Sequence, residues 1–460
     1  MIKNFIKNKI EPYVIKRDLT TGSLSKNIWY LALPMITGHI LQVTFNLVDM
    51  FWVGRLGPVA LAAVAMSGVV MMILITLIVG INIGTLALVS RFVGAQDRDS
   101  AEDVAMQSLI LGFLVAAVLG LIGYMLTPAM LKLLGARPDV LSSGSEYLRI
   151  IFSGVAFVFF MFTISAILRG AGDPVTPTVI LAISTVINII LDPLLIFGIG
   201  VPRMGIAGAA LATVISFCIG GIIGFEVLLK GRSHIHLKLN KFKIDFEIIR
   251  RIVKIGIPAS AQMTMRGFMG AVLMTIVASF GTFAIAAYGV GLRLTMIVMM
   301  PGFGFAMAAA TMVGQNLGAG EPKRAEKSAW LATAYYFIFM VIFTAVFIIF
   351  APTLISIFNK TPQVIKLGTN FLRITAWSFL FIPFGLILGR ALMGAGDTIP
   401  PMVITGISLW LFQIPAAYIL SKPMGFGLPG VWYAILSASM LQAAASASWF
   451  SLGLWKRKRV

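Results

Sequence analysis

The chain has 460 residues, 59% hydrophobic and 12% charged, with a formal net charge of +19. Soluble domains carry about 25% charged residues, so this composition excludes a soluble enzyme or soluble binding domain. A single cysteine, Cys218, excludes an intramolecular disulfide and a cysteine metal cluster.

Residues 1–26 are polar and basic, with Lys3, Lys7, Lys9, Lys16, Arg17 and Lys26 but no short apolar core, so no cleaved signal peptide is expected. Apolar stretches long enough to cross a bilayer, about 20 residues, follow at 27–52, 60–84, 105–127, 147–168, 175–199 and 205–229. A polar, basic loop at 230–252 separates them from six more, at 253–279, 284–308, 329–351, 370–392, 399–421 and 428–453. A basic tail, 454–460, closes the chain. The fold class is therefore an all-α integral membrane protein with twelve transmembrane helices. Residues 27–229 would form an N-lobe and 253–453 a C-lobe.

Most of the 36 Lys and Arg fall on one side of this arrangement: in the first 26 residues, in the 230–252 loop (Arg232, Lys238, Lys241, Arg250, Arg251) and in the tail (Lys456, Arg457, Lys458, Arg459). That is the positive-inside pattern. It places both termini in the cytoplasm and requires an even number of helices. The basic runs are read as topology signals and lipid contacts, with no nucleic-acid partner.

Along helix 1, His39, Gln42, Asn46 and Asp49 recur at i, i+3, i+7 and i+10 and so share a face. On helix 5, Ser184, Asn188 and Asp192 recur at i, i+4 and i+8. Of the 17 acidic residues, only Asp49, Asp192 and Glu226 fall within the spans. Glu226 lies four residues from Lys230 at a helix end and can reach the interface. An Asp in mid-membrane costs about 2.5–3.5 kcal/mol on insertion scales and commonly faces a cavity and marks an ion or proton path. A structural hydrogen bond between helices is the alternative. With Asn46 and Asn188 as neutral oxygen donors, Asp49 and Asp192 would bind either H⁺ or Na⁺, the metal site being Asp49, Asn188 and Asp192. His39, Gln42, Ser184, Arg266 and Arg293 are the candidates for a substrate cleft. A packing role is the plainer reading of His39; for Arg293, pairing with backbone carbonyls or reaching an interface stands equally beside a cleft role.

Sliding the chain by 224 residues aligns it with itself. Pro34 falls on Pro258, Gly80 on Gly304, Gly94-Ala95 on Gly318-Ala319, and Gly170-Ala171-Gly172-Asp173 on Gly394-Ala395-Gly396-Asp397. Six helices per repeat means that both copies enter from the same side. The expected arrangement is two six-helix bundles related by a parallel pseudo-twofold axis around a central cleft, which suits alternating access. The repeat breaks at the polar positions: Asp49 meets Leu273, Asp192 meets Ala416, Asn188 meets Phe412 and Gln42 meets Arg266. Ion coupling is therefore expected in the N-lobe. No phosphate-binding loop is present, which leaves an ion gradient as the energy source, with no cofactor and no enzyme activity. Pro34 and Pro258 permit bending of helices 1 and 7.

Asn46-Leu47-Val48-Asp49-Met50-Phe51-Trp52-Val53-Gly54, Leu56-Gly57-Pro58, Val313-Gly314-Gln315-Asn316-Leu317-Gly318-Ala319-Gly320 and the twin Gly-Ala-Gly-Asp loops resemble multidrug and toxic compound extrusion (MATE) transporters over essentially the whole chain. Asp49 and Asn188-Ile189-Ile190-Leu191-Asp192-Pro193 resemble the DinF-like branch, whose cation-responsive acids lie in the first lobe. The resemblance implies cation-driven export of amphipathic or cationic organic compounds and bending of helix 1 at Pro34 when Asp49 is protonated. The expected setting is the plasma membrane, with both termini inside and a monomer as the working unit. A lipid-linked oligosaccharide or lipid flippase is the alternative; related flippases commonly carry more basic clefts, and here Arg266 and Arg293 are the intramembrane cations expected.

Overall fold

The computed structural model describes residues 17–231, 233–238 and 243–458. Lys3, Lys7, Lys9, Lys16, Arg232, Lys241 and Arg459 lie outside the described residues. Among those described, the chain is helical throughout with no strand. The first six long helices are α1 (Leu24–Gly54), α2 (Pro58–Gly94), α3 (Arg98–Leu133), α4 (Pro138–Gly170), α5 (Val175–Phe197) and α6 (Ile206–Leu229). The next three are α7 (Phe246–Ala278), α8 (Thr282–Gly318) and α9 (Pro322–Ile349). Helix α10 is a broken span, Pro362–Leu380 and Phe384–Gly394, bent by 49°. Helices α11 (Ile399–Ser421) and α12 (Leu428–Leu452) complete the set. Among the described residues, eleven continuous helices and one bent pair are long and apolar enough to cross a bilayer, in agreement with the twelve spans that hydropathy predicts.

The helix ends follow from local chemistry. Gly57 (φ 108°) and Gly281 (φ 95°) occupy a backbone region that disfavours side chains, and they turn the chain into α2 and α8. These equivalent residues of the two repeats have nearly equal dihedrals, so the repeat is one of backbone as well as sequence. Asp97 accepts from the Ser100 backbone N–H (3.1 Å) and caps α3. Asp173, at the turn before α5, accepts from the backbone N–H of Val175 (3.2 Å) and Thr176 (3.0 Å), and its Oδ2 accepts from the Thr176 hydroxyl (2.6 Å). Burial raises the Asp173 carboxyl above the usual carboxylate range, and these three bonds oppose the rise.

Large apolar side chains such as Leu47, Phe113, Leu121, Met125, Ile342 and Leu411 are exposed. Small ones, among them Ala105, Gly112, Ala116, Gly120 and Gly123, are buried. This inversion suits helices packed in lipid, where small residues allow close approach.

The chain forms two compact units, one of Met1–Asp18 with Thr37–Gly256, the other of Leu19–Ile36 with Ile257–Val460. The lobe boundaries drawn from hydropathy, 27–229 and 253–453, therefore differ from the packing units at the first turns of α1 and α7. The physical reason is close backbone approach. In unit 1 a Cβ at Gly256 of α7 would lie 2.8 Å from the Gly80 carbonyl oxygen of α2. In unit 2 a Cβ at Gly304 of α8 would lie 3.0 Å from the Ala32 carbonyl oxygen of α1. Gly80 and Gly304 are repeat equivalents, as are Ala32 and Gly256, so the same contact is made once in each unit.

Pro34 and Pro258 fall inside α1 and α7, within two residues of these divisions, and both helices run unbroken through them.

Among the described residues, the basic segment before α7 and the segment after α12 are packed against the helices. In unit 1, Lys238 pairs with Glu102 (3.3 Å), and Gln107 donates to the Lys243 carbonyl (2.6 Å). In unit 2, Leu454–Arg457 form a short helix: Trp455 is fully buried, stacks on Phe450 (centroids 4.6 Å) and donates its indole N–H to the Phe450 carbonyl (2.8 Å). Lys456 pairs with Glu326 (2.7 Å) and Lys458 with Asp397 (3.1 Å). Glu226 pairs with Lys230, as its spacing suggests.

Candidate ion and substrate site

Unit 1 encloses a cavity of about 560 Å³. Gln42, Asn46 and Asp49 line it from α1, Asn82 from α2, Tyr147 from α4, and Thr213 and Phe217 from α6, with an otherwise apolar wall. The predicted helix 1 stripe is thus real at three of its four positions. His39, one turn earlier, is half-buried and outside the cavity wall.

Asp49 is 8% exposed, and its Oδ1 is buried without a hydrogen-bond partner. Asn188 and Asp192 on α5 are fully buried. Asn188 Nδ2 donates to Asp192 Oδ1 (3.2 Å), while Asp192 Oδ2 and Asn188 Oδ1 have no protein partner. Asp49 and Asp192 lie within electrostatic range of one another, and Tyr147 lies within range of both. Gln42 Oε1 and Asn82 Oδ1 are likewise buried and unpartnered. Unpartnered buried oxygens cost about 1–3 kcal/mol each. Carboxylate and amide oxygens are the donor set that a hard cation takes, and a carboxylate can instead take a proton.

Ser184 sits apart from this cluster. It is fully buried, its hydroxyl 4.0 Å from the Met161 sulfur, and Gly220 of α6 packs against it. Its place on the Asn188 and Asp192 face brings it into the interhelical packing because α6 closes over that end of α5.

Tyr147 and Asn82 were not among the candidates drawn from the sequence. Asn82, a polar residue inside an apolar span, carried a readable signal. Tyr147 carried none, since only the folded chain brings it within electrostatic range of Asp49 and Asp192.

In unit 2, Arg293 is exposed on α8. Arg266 on α7 is half-buried, and its charge interacts with that of Arg390 on α10, also half-buried. The expectation that Arg266 and Arg293 are the intramembrane cations is corrected by Arg390. It lies two residues from the predicted end of its span, and only the folded chain brings it within electrostatic range of Arg266 on α7.

A duplicated bundle of twelve apolar helices, holding buried acids beside a cavity, defines a multi-pass membrane transporter. The MatE family profile matches residues 34–194 and 258–419, two segments that begin 224 residues apart. The chain belongs to this family. It is 30% identical to the probable multidrug resistance protein YoeA of Bacillus subtilis, over 98% of both chains. It is 29% identical to the probable multidrug resistance protein NorM of Thermotoga maritima, over 95% of this chain and 94% of that one. A crystal structure of a MATE transporter in a bent conformation superposes with a TM-score of 0.89, at 27% identity, covering 94% of this chain and 96% of the other.

Proposed function

We propose that the chain is a cation-coupled antiporter that exports amphipathic, often cationic, organic compounds by alternating access. H⁺ or Na⁺ entering at Asp49 and Asp192, with Asn188 and Asn46 supplying neutral oxygens, shifts the equilibrium between outward-facing and inward-facing states. A ligand shifts such an equilibrium only by its difference in affinity for the two. The observation that carries this reading is the pair of buried acids within electrostatic range, each with an oxygen that the protein leaves unpartnered. Relatives bearing multidrug resistance names support the substrate class. The transporter would sit in the plasma membrane, both termini cytoplasmic, and work as a monomer with no cofactor beyond the coupling ion. Pro34 and Pro258 would serve as hinges.

The flippase alternative gains one observation: Arg390 beside Arg266 makes unit 2 more basic than the sequence suggests.

The test is efflux from proteoliposomes under H⁺ and Na⁺ gradients imposed separately. One gradient should drive accumulation of a cationic dye, and D49N and D192N should lose at least tenfold of that drive. Equal transport by wild type and both variants would overturn the assignment of coupling to these acids.

A further inference from the structure

We propose that unit 2 carries an anion-binding site, centred on Arg266 and Arg390, for the carboxylate or phosphate of an amphipathic molecule. A guanidinium stays protonated in proteins, so two of them within repulsive range in a membrane-spanning bundle cost free energy unless an anion lies nearby. Among the described residues, neither pairs with a carboxylate, and the one hydrogen bond that Arg390 makes is to the Met393 sulfur (3.6 Å). Both side chains are half-buried, so their donors are only partly covered by protein.

The surroundings form a built polar cluster. Gln262, one turn before Arg266, donates to the Pro401 carbonyl (3.0 Å) and to the Thr405 hydroxyl (2.8 Å). Gln442 of α12 donates to the same hydroxyl (3.3 Å). A Cβ at Gly385, in the turn before Arg390, would lie 3.2 Å from the Gln442 side chain. These contacts tie α7, α10, α11 and α12 together one turn from Arg266 on α7 and from Arg390 on α10. Both α10 and α11 turn π-helical here, at Phe384–Leu388 and Gly406–Gln413. Such segments are rare and frequently mark functional sites. The equivalent stretches of the first repeat, 160–164 and 182–189, are α-helical. Arg266 also falls on Gln42, which lines the unit 1 cavity. One scaffold therefore carries acids in its first copy and two interacting cations in its second. Two guanidiniums suit the planar, bidentate recognition of carboxylate or phosphate.

The inference rests on the transporter reading only for what the anion does there. Binding is measured without a gradient, so its failure is distinguishable from a failure of coupling at Asp49. The purified chain in neutral detergent is titrated with riboflavin 5′-phosphate and with riboflavin, which share a fluorescent ring and differ by the phosphate. In parallel, retention of phosphatidylglycerol and phosphatidylcholine is measured by native mass spectrometry. Phosphate-dependent binding that falls at least tenfold in R266Q and R390Q, is partly kept in R266K and is unchanged in K422Q supports a solute anion. Preferential retention of phosphatidylglycerol lost in the same variants supports a lipid headgroup. If the glutamine variants fail to fold, competition by inorganic phosphate on the wild-type chain replaces them. A wild type that prefers neither phosphorylated probe, or a preference unchanged in folded R266Q and R390Q, overturns the site.

Discussion

Asn188 holds Asp192 across one turn of α5, its amide nitrogen 3.2 Å from a carboxylate oxygen, with both side chains fully buried. The bond leaves the second Asp192 oxygen and the Asn188 amide oxygen unpartnered. Helical spacing predicts that the two share a face; only the folded chain brings Asp49 of α1 into range of them.

Asn188→Leu removes the donor and one amide oxygen together. The ion concentration giving half-maximal drive should rise by about tenfold, the equivalent of one charge-assisted hydrogen bond of about 1.4 kcal/mol. Efflux assays at graded gradients check this, with Ser184→Ala as a comparison that should leave ion dependence alone.

Asp173 gives a pH-dependent prediction with a definite sign. Its folded carboxyl lies above the unfolded value of about 3.9. Its protonation stabilises the folded state, fully so below the unfolded pKa, and that contribution is lost as pH rises through the folded pKa. Asp173→Asn cannot ionise. The melting temperature of the variant relative to wild type should therefore increase from pH 4 to pH 8, as thermal unfolding in detergent would show. A difference that is flat or falls with pH would contradict the burial argument.

Removing Trp455 tests whether the tail is structural. Large aromatic truncations in packed interiors cost about 3–5 kcal/mol. Trp455→Ala should lower the melting temperature clearly, whereas Lys456→Gln, which breaks a partly exposed ion pair, should cost under about 1 kcal/mol.

Gly256→Val places a branched side chain against the Gly80 backbone. Overpacking of this kind costs about 1–3 kcal/mol. Ala32 is its counterpart and already carries a Cβ, so Ala32→Gly should be tolerated. Thermal stability of the two variants separates the cases.

Hydropathy and charge made the membrane class, the spans and the repeat legible, because a bilayer demands long apolar helices wherever the chain crosses it. The 224-residue repeat also exposed the acids of the first copy, since a charged residue opposite Leu273 or Ala416 stands out. Arg390 stayed hidden near a predicted span end, where a cation is ordinary. Tyr147 stayed hidden because a tyrosine at a membrane boundary carries no distinctive signal.

By itself, the sequence determined how many helices there are, which halves correspond and where their chemistry diverges. These are properties of local hydropathy and of duplication. The tertiary structure alone decided that α1 and α7 divide their ends between the packing units, that Asp49 comes within electrostatic range of Asp192, and that Arg266 comes within range of Arg390. Each depends on packing between helices far apart in the chain, and the first rests on close backbone approach at Gly80 and Gly304, which no local pattern reveals.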